Sequence, residues 1–451
     1  MSRLISKIQL TLQQDPVLSR VLKNSGYLFS STTISLVLVF VQSILAARLL
    51  GVTNFGLITI VMSVVTTVNR LFSFRMGEYV IRFFGKEIHD GNLENAGEVI
   101  KTAALMEGAT SLVAFICLWI IAPLGAFYIA KDPNSVPFIR LFGIAILLNF
   151  VTETATGVLQ STNQFRKQAV LTLMNSIITL AIIVVAYILH GSVRFVLWAY
   201  IAGKAVLGLG PILMAWSGLK QVLGRRWWRK KYSKSETFSE MLKFAFSTNL
   251  SGTIKLLVSE SEPLWLGLFL DKQAVGLYKI ALSIVNPLMM PITPMIDTTF
   301  PEIARSVLQQ KRQQLTRLLK RITVISAIWT GLVALLMILF GKWIIRIAYT
   351  DQFVPAYGPL MILLIGFGFA NIFFWNRKLL LAFGKANIPL YILAIAAVLK
   401  IGFSFWLVPA YGINAEAWLL SGNFILSVGV MVFIGLRMVT NGMMQSENGK
   451  S

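Results

Sequence analysis

Long apolar runs separated by short polar turns constrain this chain more than any other feature. Hydrophobic residues make up 56% of its 451 residues, and charged residues only 13%. A helix that crosses a bilayer needs about 20 apolar residues, because each residue adds about 1.5 Å. About twelve segments meet this length, and we number them spans 1 to 12: 26–47, 55–74, 100–121, 138–158, 169–189, 194–216, 243–269, 275–297, 319–340, 357–376, 388–408 and 415–437. The sequence therefore predicts an all-α polytopic membrane protein.

The basic residues indicate how the chain is oriented in the membrane. The formal net charge is +22, and Lys and Arg collect at alternate ends of the predicted spans, for example at Arg82, Lys86, Arg166 and throughout 220–234. Positive residues in short loops favour the cytoplasmic side and attract anionic headgroups. We predict a plasma (inner) membrane protein with both termini cytoplasmic and with anionic lipids as partners. The charge needs no nucleic acid to explain it.

Residues for metal or nucleotide chemistry are scarce. Cys117 is the single cysteine, so an intramolecular disulfide or a cysteine metal cluster is excluded. His89 and His190 lack metal-ligand spacing, and no phosphate-binding glycine loop of the ATPase type occurs. We predict no metal and no cofactor, apart from a coupling ion considered below.

Two halves of the chain repeat one pattern at an interval of 220 residues. In each half, a polar-striped apolar helix is followed by a Gly-Leu pair that opens the next apolar run. The matched positions are Ser31 and Ser251, Ser35 and Lys255, Gln42 and Glu262, and Gly56 and Gly276. Internal repeats of this kind are typical of transporters with a central site. We predict two six-helix lobes around a central cavity, with an N-lobe at 1–219, a basic cytoplasmic linker at 220–240, a C-lobe at 241–451, and a monomeric state.

Span 7 carries the sharpest physical signal. Ser251, Lys255, Ser259 and Glu262 recur every three or four residues, so they share one helical face. Charge at the bilayer centre is costly unless it meets protein or water. We therefore expect this face to line a lumen.

Several motifs resemble those of bacterial polysaccharide-biosynthesis transporters. The segment 46–57, AARLLGVTNFGL, resembles the connection between the first two helices of that family, and 268–278, LFLDKQAVGLY, resembles it in the second half. Phe340-Gly341-Lys342 with 353–360, FVPAYGPL, resembles the connection between helices nine and ten. The segment 381–385, LAFGK, resembles the turn before helix eleven. The likeness extends from about Asn24 to Met438.

This resemblance implies an oligosaccharide-lipid flippase of the O-antigen and capsule type, within the multidrug/oligosaccharidyl-lipid/polysaccharide exporter superfamily. Such a protein is expected to move polyprenyl-diphosphate-linked oligosaccharide from the inner to the outer leaflet. Glycosyltransferases and a polymerase of the same pathway are then possible partners. Fourteen-helix members carry two further C-terminal helices that the twelve predicted spans do not include.

A diphosphate-linked sugar needs a hydrated, cationic cavity, and basic residues inside predicted spans are the candidates to line it. These candidate substrate-binding residues are Lys255, Lys279, Arg48, Arg140, Lys204 and Lys400. A structural role is the alternative for each: Lys255 can pair with Glu262, Arg48 and Arg140 can snorkel to the interface, and the others can bond across helices.

Energy coupling and gating rest on fewer residues. Glu262 and Glu260 are candidates to bind H⁺ or Na⁺, because desolvation favours a bound ion at a buried carboxyl. Asp297 follows Pro291 and Pro294, and prolines free backbone carbonyls and permit bending. We predict that these three residues take part in gating by alternating access.

Two alternatives remain open. A multidrug-type small-molecule exporter shares the two-lobe architecture, but it favours acidic residues in its N-lobe, whereas span 1 has none before Arg48. A membrane-embedded polysaccharide polymerase or ligase is expected to carry large outer loops, whereas the outer connections here are short. We therefore predict a transporter and not an enzyme.

Overall fold

The computed structural model describes residues 16–74, 76–224, 227–229, 261–289, 292–385 and 387–441. These residues form α-helices joined by short turns, and the described part of the chain contains no strand. The helices are α1 Pro16–Phe72, α2 Gly77–His89, α3 Leu93–Leu124, α4 Val136–Leu148, α5 Thr152–Ser161, α6 Phe165–Ile188, α7 Val193–Leu223, α8 Glu262–Phe269, α9 Lys272–Met289, α10 Thr293–Leu308, α11 Arg312–Ala348, α12 Tyr357–Ile372, α13 Asn376–Ala382, α14 Asn387–Tyr411 and α15 Ile413–Asn441.

The outer surface of these helices is apolar. Large side chains such as Trp406, Leu213 and Val398 are at least 70% exposed, which suits lipid and not water. Within the described residues, nine helical stretches are long and apolar enough to cross a membrane. The prediction of an all-α polytopic membrane protein is confirmed, while the count of about twelve spans stays a prediction.

One of these stretches contains two predicted spans. α1 has 57 residues, and a straight helix of that length would measure roughly 85 Å, far more than a bilayer core of about 30 Å. At Gly51 the backbone leaves the helical region, with φ 70° and ψ 174°. A positive φ costs glycine little because it has no Cβ. Gly51 therefore divides α1 into the segments predicted as spans 1 and 2.

Predicted span 4 is broken in its middle. α4 ends at Leu148, α5 begins at Thr152, and Val151 between them has a non-helical backbone. Asn149 stabilises the end of α4 by donating from its side chain to the carbonyl of Ala145 at 2.6 Å. The predicted span 138–158 lies within the membrane-crossing stretch Pro133–Ser161. A break that was not predicted interrupts its helix, because side-chain hydrogen bonds at Asn149 compete with the helical ladder.

The chain divides into two compact units. The first comprises the described residues of Met1–Gln42, Val65–Ala122 and Pro137–Thr253, and the second those of Ser43–Val64, Pro123–Val136 and Ile254–Ser451. Two short stretches of the first half of the chain thus belong to the same unit as the second half. The predicted lobe boundaries stay a prediction, and most of the predicted linker 220–240 lies outside the described residues.

Each unit has its own apolar core. In the first unit, Tyr79 and Phe84 of α2 pack with residues of α3, α5 and α7, such as Leu159. In the second unit, Ile303 of α10, Leu315 of α11 and residues of α13 form a separate cluster. These cores hold the helices that carry the polar sites described below.

The two repeated Gly-Leu positions meet inside the second unit. A Cβ added to Gly56 would clash with the carbonyl of Lys272, and a Cβ added to Gly276 would clash with the carbonyl of Val52. Lys272 and Val52 are separated by the same interval of 220 residues as the two glycines. The contact is therefore reciprocal between repeats, and small residues allow the two helix backbones to touch.

Polar contacts surround this crossing. Asp132 forms an ion pair with Lys272 at 2.8 Å, and Lys131 donates to the carbonyl of Leu270. Arg48 donates through Nε to the carbonyl of Ala348 at 2.7 Å, and also to that of Ile347. Arg48 thereby caps the C-terminal end of α11, whose carbonyls have no partner in their own helix.

We predict that the glycine crossing is intolerant of a single methyl group. Gly56→Ala and Gly276→Ala should each lower the free energy of unfolding by about 1–3 kcal/mol, because backbone atoms cannot move aside cheaply. Gly402→Ala in α14 is the matched control, since nothing lies within 4 Å of its added Cβ, and it should be neutral or stabilising by up to about 1 kcal/mol. Thermal unfolding in detergent measures the stability of all three variants. If Gly402→Ala destabilises the protein as much as Gly56→Ala and Gly276→Ala, the close backbone contact at the crossing is contradicted.

The ion pair at Asp132 predicts a pH dependence. The hydrogen bond from Lys272 holds the pKa of Asp132 below its ordinary value of 3.8, so the pair stabilises the fold above that pH and is lost as pH falls through the lowered pKa. Both side chains are about a quarter exposed, so Asp132→Asn should cost at most about 1 kcal/mol at neutral pH. Unfolding measured against pH should show the variant and the parent converging in acid. A constant difference would contradict the pair's role.

Candidate cationic cavity and buried charge cluster

A polar cavity lies within the first unit, beside the break between α4 and α5. Its volume is about 230 Å³. Four charged residues line it, Arg70 of α1, Glu107 of α3, Glu153 of α5 and Lys204 of α7, together with polar residues such as Asn149 at the break. Broken helices beside a cavity are a recurring feature of binding sites in transporters.

Glu107 connects α3 to the broken helix. Its Oε1 accepts from the backbone N–H of Glu153 at 2.9 Å, and its Oε2 accepts from the backbone N–H and the hydroxyl of Thr154 at 2.8 and 2.7 Å. These N–H groups belong to the first turn of α5, which has no partner for them within its own helix. Glu107 is 2% exposed, and both of its carboxyl oxygens accept hydrogen bonds from α5.

The cations are placed differently. Lys204 is exposed on α7, and Arg70 is half-buried on α1. The two groups are close enough to interact electrostatically, although like charges repel. Among the described residues, no ion pair or hydrogen bond involves the ammonium of Lys204. An anion entering the cavity would supply Lys204 with a partner.

A second set of charges is fully buried in the second unit. Lys400 of α14 lies 2.7 Å from Oε1 of Glu262 at the start of α8 and 3.2 Å from Oε1 of Glu416 at the start of α15. The three side chains are at most 2% exposed. Ser404, one turn after Lys400, donates to Oε2 of Glu416 at 3.2 Å. The sequence suggested Lys255 as the partner of Glu262, and the structure shows Glu262 paired with Lys400.

The remaining predicted cations are placed apart from the cavity. Arg48 caps α11 as described above, and Arg140 stacks on the ring of Trp119, with its guanidinium carbon 4.7 Å from the ring centre. Lys279 is exposed on α9, in the second unit. The structure therefore brings Lys204 alone, among the predicted cations within the described ranges, into this cavity. Substrate binding by the others stays a prediction.

Some predicted site residues cannot be placed. Lys255, Glu260 and Pro291 lie outside the described residues. Asp297 and Pro294 belong to α10, of which the backbone is described at these positions. Their predicted roles in binding, coupling and gating are therefore untouched by the structure.

The polar stripe of span 1 has a packing role. Ser35 shares a hydrogen bond with Ser176 of α6, and Gln42 donates through Nε2 to the carbonyl of Ser176 at 2.8 Å. Both residues are less than 9% exposed. Their repeat partners in span 7 include Glu262, which also packs on the fifth span of its own half, at Lys400 in α14.

Two residues of the cavity were missed from the sequence. Glu107 is an acid in the middle of predicted span 3, and Arg70 is a base near the end of predicted span 2. The signal was present, because any ionisable residue within a span is a candidate site residue. What the sequence could not give was the pairing of Glu107 with α5, since it requires the helix break.

A comparison with family models identifies the chain. The model described as "Polysaccharide biosynthesis protein" matches residues 21–307, which is more than half of the chain. The chain belongs to the polysaccharide biosynthesis protein family. The match covers every residue that lines the cavity, and a second model, MatE, matches residues 256–406, which include Glu262 and Lys400. The resemblance stated from the motifs is confirmed.

Solved structures of low sequence identity share this family member's fold. The lipid II flippase MurJ, in an inward closed conformation, is 14% identical with a TM-score of 0.66, over 92% of this chain and 90% of that chain. An inward-facing multidrug resistance MATE family transporter of the MOP superfamily is 14% identical with a TM-score of 0.63, over 92% and 95%. A MOP superfamily transporter from Pyrococcus furiosus Vc1 (DSM3638) is 14% identical with a TM-score of 0.61, over 93% and 96%. The fold is that of the MOP superfamily.

A curated relative of low identity is named as a membrane protein. "Inner membrane protein YghQ" of Escherichia coli (strain K12) is 21% identical over 354 residues, which are 76% of this chain and 96% of that protein. The similar solved structures described above are named as transporters or as a flippase, in agreement with the prediction of a transporter and not an enzyme.

We predict that Glu107 is a structural cap of the cavity wall. Glu107→Ala should lower the free energy of unfolding by about 2–4 kcal/mol, because two buried N–H groups and a hydroxyl lose their acceptor. Glu98→Ala removes a carboxylate from the same helix and should cost less than about 0.5 kcal/mol. Chemical or thermal unfolding in detergent compares them, and similar losses would exclude the capping role.

Proposed function

We propose that this protein is a flippase that moves a polyprenyl-diphosphate-linked oligosaccharide from the inner to the outer leaflet of the inner membrane. The flipped lipid would supply surface polysaccharide synthesis, as O-antigen, capsule or exopolysaccharide. The single observation that carries the proposal is the polar cavity of the first unit, to which Lys204 and Arg70 contribute positive charge beside Glu107 and Glu153, in a chain of the polysaccharide biosynthesis protein family.

The substrate chemistry matches the cavity. A diphosphate carries negative charge that cannot enter hydrocarbon without compensation. Lys204 and Arg70 contribute two positive groups to the lining of the cavity, and the carboxyl oxygens of Glu107 accept hydrogen bonds from α5. Asn149, Thr152 and Ser73 add hydrogen-bonding groups suited to sugar hydroxyls. The prenyl chain would stay in the bilayer, where the apolar outer surface of the protein faces it.

Transport by alternating access requires that contacts at one side of the membrane open. The crossing of Gly56 and Gly276 is the contact we propose to separate, together with the ion pair of Asp132 and Lys272. By the predicted topology, with both termini cytoplasmic, these residues lie on the outer side. Pro291, Pro294 and Asp297 are proposed to allow bending during the same change.

Coupling to an ion gradient is part of the proposal. A carboxylate pair in the second unit, Glu262 and Glu416, contacts Lys400 away from water. Glu262 and Glu260 were the carboxylates predicted to couple transport to H⁺ or Na⁺. We keep Glu262 in this group because its carboxyl group is buried beside Lys400, in the same cluster as Glu416.

The proposed partners and oligomeric state follow from the proposed flippase function. The proposed partners are the lipid-linked oligosaccharide, anionic lipids of the cytoplasmic leaflet, and the glycosyltransferases and polymerase that make and use the substrate. The proposed working unit is a monomer, since one chain contains both repeats.

A multidrug-type exporter of small molecules is the second candidate. The match of residues 256–406 to the MatE model favours it, and the cavity contains Glu153 as well as its cations. A cationic drug would need acidic side chains in the cavity to bind its charge, whereas the carboxyl group of Glu107 already accepts hydrogen bonds from α5. We therefore place the glycolipid first.

We predict that the cavity cations are needed for flipping. In proteoliposomes with a fluorescent undecaprenyl-diphosphate oligosaccharide, Lys204→Ala and Arg70→Ala should each slow translocation about tenfold or more, because a charge-assisted contact contributes about 1.5–3 kcal/mol. Lys220→Ala is the control, since Lys220 lies on the same helix and stacks on Trp216 outside the cavity. Unchanged rates in both cavity variants, or transport of a cationic dye in place of the glycolipid, would contradict the proposal.

A further inference from the structure

Among the residues that the structure describes, the buried charge cluster of the second unit has an odd number of charges. It contains two carboxylates, Glu262 and Glu416, and one ammonium, Lys400, on three different helices. With all three ionised, the cluster would carry a net charge of −1 at sites that are at most 2% exposed. Burial of an uncompensated charge costs several kcal/mol in proteins, whereas a typical hydrogen bond contributes only about 0.5–1.5 kcal/mol to stability.

The two carboxylates are not equivalent. Lys400 donates a hydrogen bond to Glu262 at 2.7 Å, whereas its contact with Oε1 of Glu416 is a longer ion pair of 3.2 Å. Among the described residues, Oε1 of Glu416 accepts no hydrogen bond. The ammonium of Lys400 thus lies closer to Glu262 than to Glu416, and Oε1 of Glu416 has an ion-pair contact but no hydrogen bond.

A neighbouring hydroxyl is also without a partner. Tyr278 of α9 is 1% exposed, and its hydroxyl makes no hydrogen bond within the described part of the chain. It interacts electrostatically with both Glu416 and Glu262, so it belongs to the same buried site. Buried polar atoms without partners are rare and indicate a missing ligand or a functional role.

We propose that this cluster is a proton-binding site in which Glu416 holds one exchangeable proton, and that its occupancy couples to transport. The coupling rests on the proposed function, while the proton site does not. With a proton on Glu416, the cluster is neutral, as one ion pair and one carboxylic acid. Loss of the proton leaves a second carboxylate beside Lys400 and Ser404, which changes the electrostatic forces between α8, α14 and α15.

The ligand is a proton and not a metal cation. Lys400 occupies the place between the two carboxylates where a sodium ion would otherwise neutralise them. An ammonium fixed on α14 cannot exchange with the solution, so the variable charge of the cluster is carried by Glu416. The site should therefore respond to pH and be indifferent to sodium.

Other charges near Glu416 are few in the described residues. Lys279, next to Tyr278 on α9, interacts with Glu262 and is exposed. α12, which packs along α15, carries no charged residue, and the charges of α11 and α13 are all basic. The part of span 7 with Lys255 and Glu260 lies outside the described residues.

Infrared difference spectroscopy of the purified full-length protein, acid minus alkaline, tests the site directly. A protonated carboxylic acid has its own C=O stretching band, so the wild type should show a titrating component from Glu416. Glu416→Gln should remove that component, and the surface control Glu302→Gln should keep it. Glu262→Gln leaves Lys400 to neutralise Glu416 alone, so it should move the midpoint of the component to lower pH. Glu107→Gln identifies any separate component from the first unit. The component should be the same in sodium chloride and in choline chloride.

A spectrum of Glu416→Gln identical to that of the wild type would overturn the proposal, as would displacement of the component by sodium. If Glu416→Gln does not fold, Ser404→Ala replaces it. This variant removes a donor to Glu416 and should move the midpoint of the titration, and an unmoved midpoint would count against Glu416. The spectrum needs no substrate, so a protein that fails to flip the glycolipid can still pass or fail this test.

Discussion

The cost of placing charge in a medium without water governs this structure. Each ionised group within the apolar helices has to meet an opposite charge, a set of hydrogen-bond donors or a hydrated space. All three solutions occur in the described residues. Lys400 lies between two carboxylates, Glu107 accepts three hydrogen bonds from α5, and Lys204 faces a cavity. The polar sites of the protein are the places where this requirement is satisfied.

The repeat shows how one backbone plan supports different chemistry. Gln42 and Glu262 occupy equivalent positions, and each contacts the fifth span of its own half, at Ser176 in α6 or Lys400 in α14. A neutral hydrogen bond in the first half corresponds to an ion pair in the second. Gly56 and Gly276 kept the same residue instead, because their backbones touch each other and no side chain fits. The close approach of the two backbones requires glycine at positions 56 and 276. At positions 42 and 262, by contrast, a polar side chain is sufficient, and its charge differs between the halves.

Sequence reasoning succeeded where a local pattern had one physical solution. Apolar length predicted the membrane helices. Lys204 was predicted to line a cavity because a lysine within a span needs a hydrated space, and it does line one, while its role in binding stays a prediction. It was less informative for Arg48 and Arg140, whose long side chains reach a helix end and an aromatic ring that lie far along the chain. It missed Glu107, whose partners appear only where α5 begins after the break at Asn149.

By itself, the sequence determined that the chain is an all-helical membrane protein with two related halves, since length, hydropathy and internal repetition are properties of the chain alone. Only the tertiary structure decided which charges meet. Glu262 has Lys255 seven residues away in sequence, yet it pairs with Lys400 on another helix. The reason is physical: a buried ion pair needs atoms within about 3 Å and no water between them, and helix packing alone sets that distance.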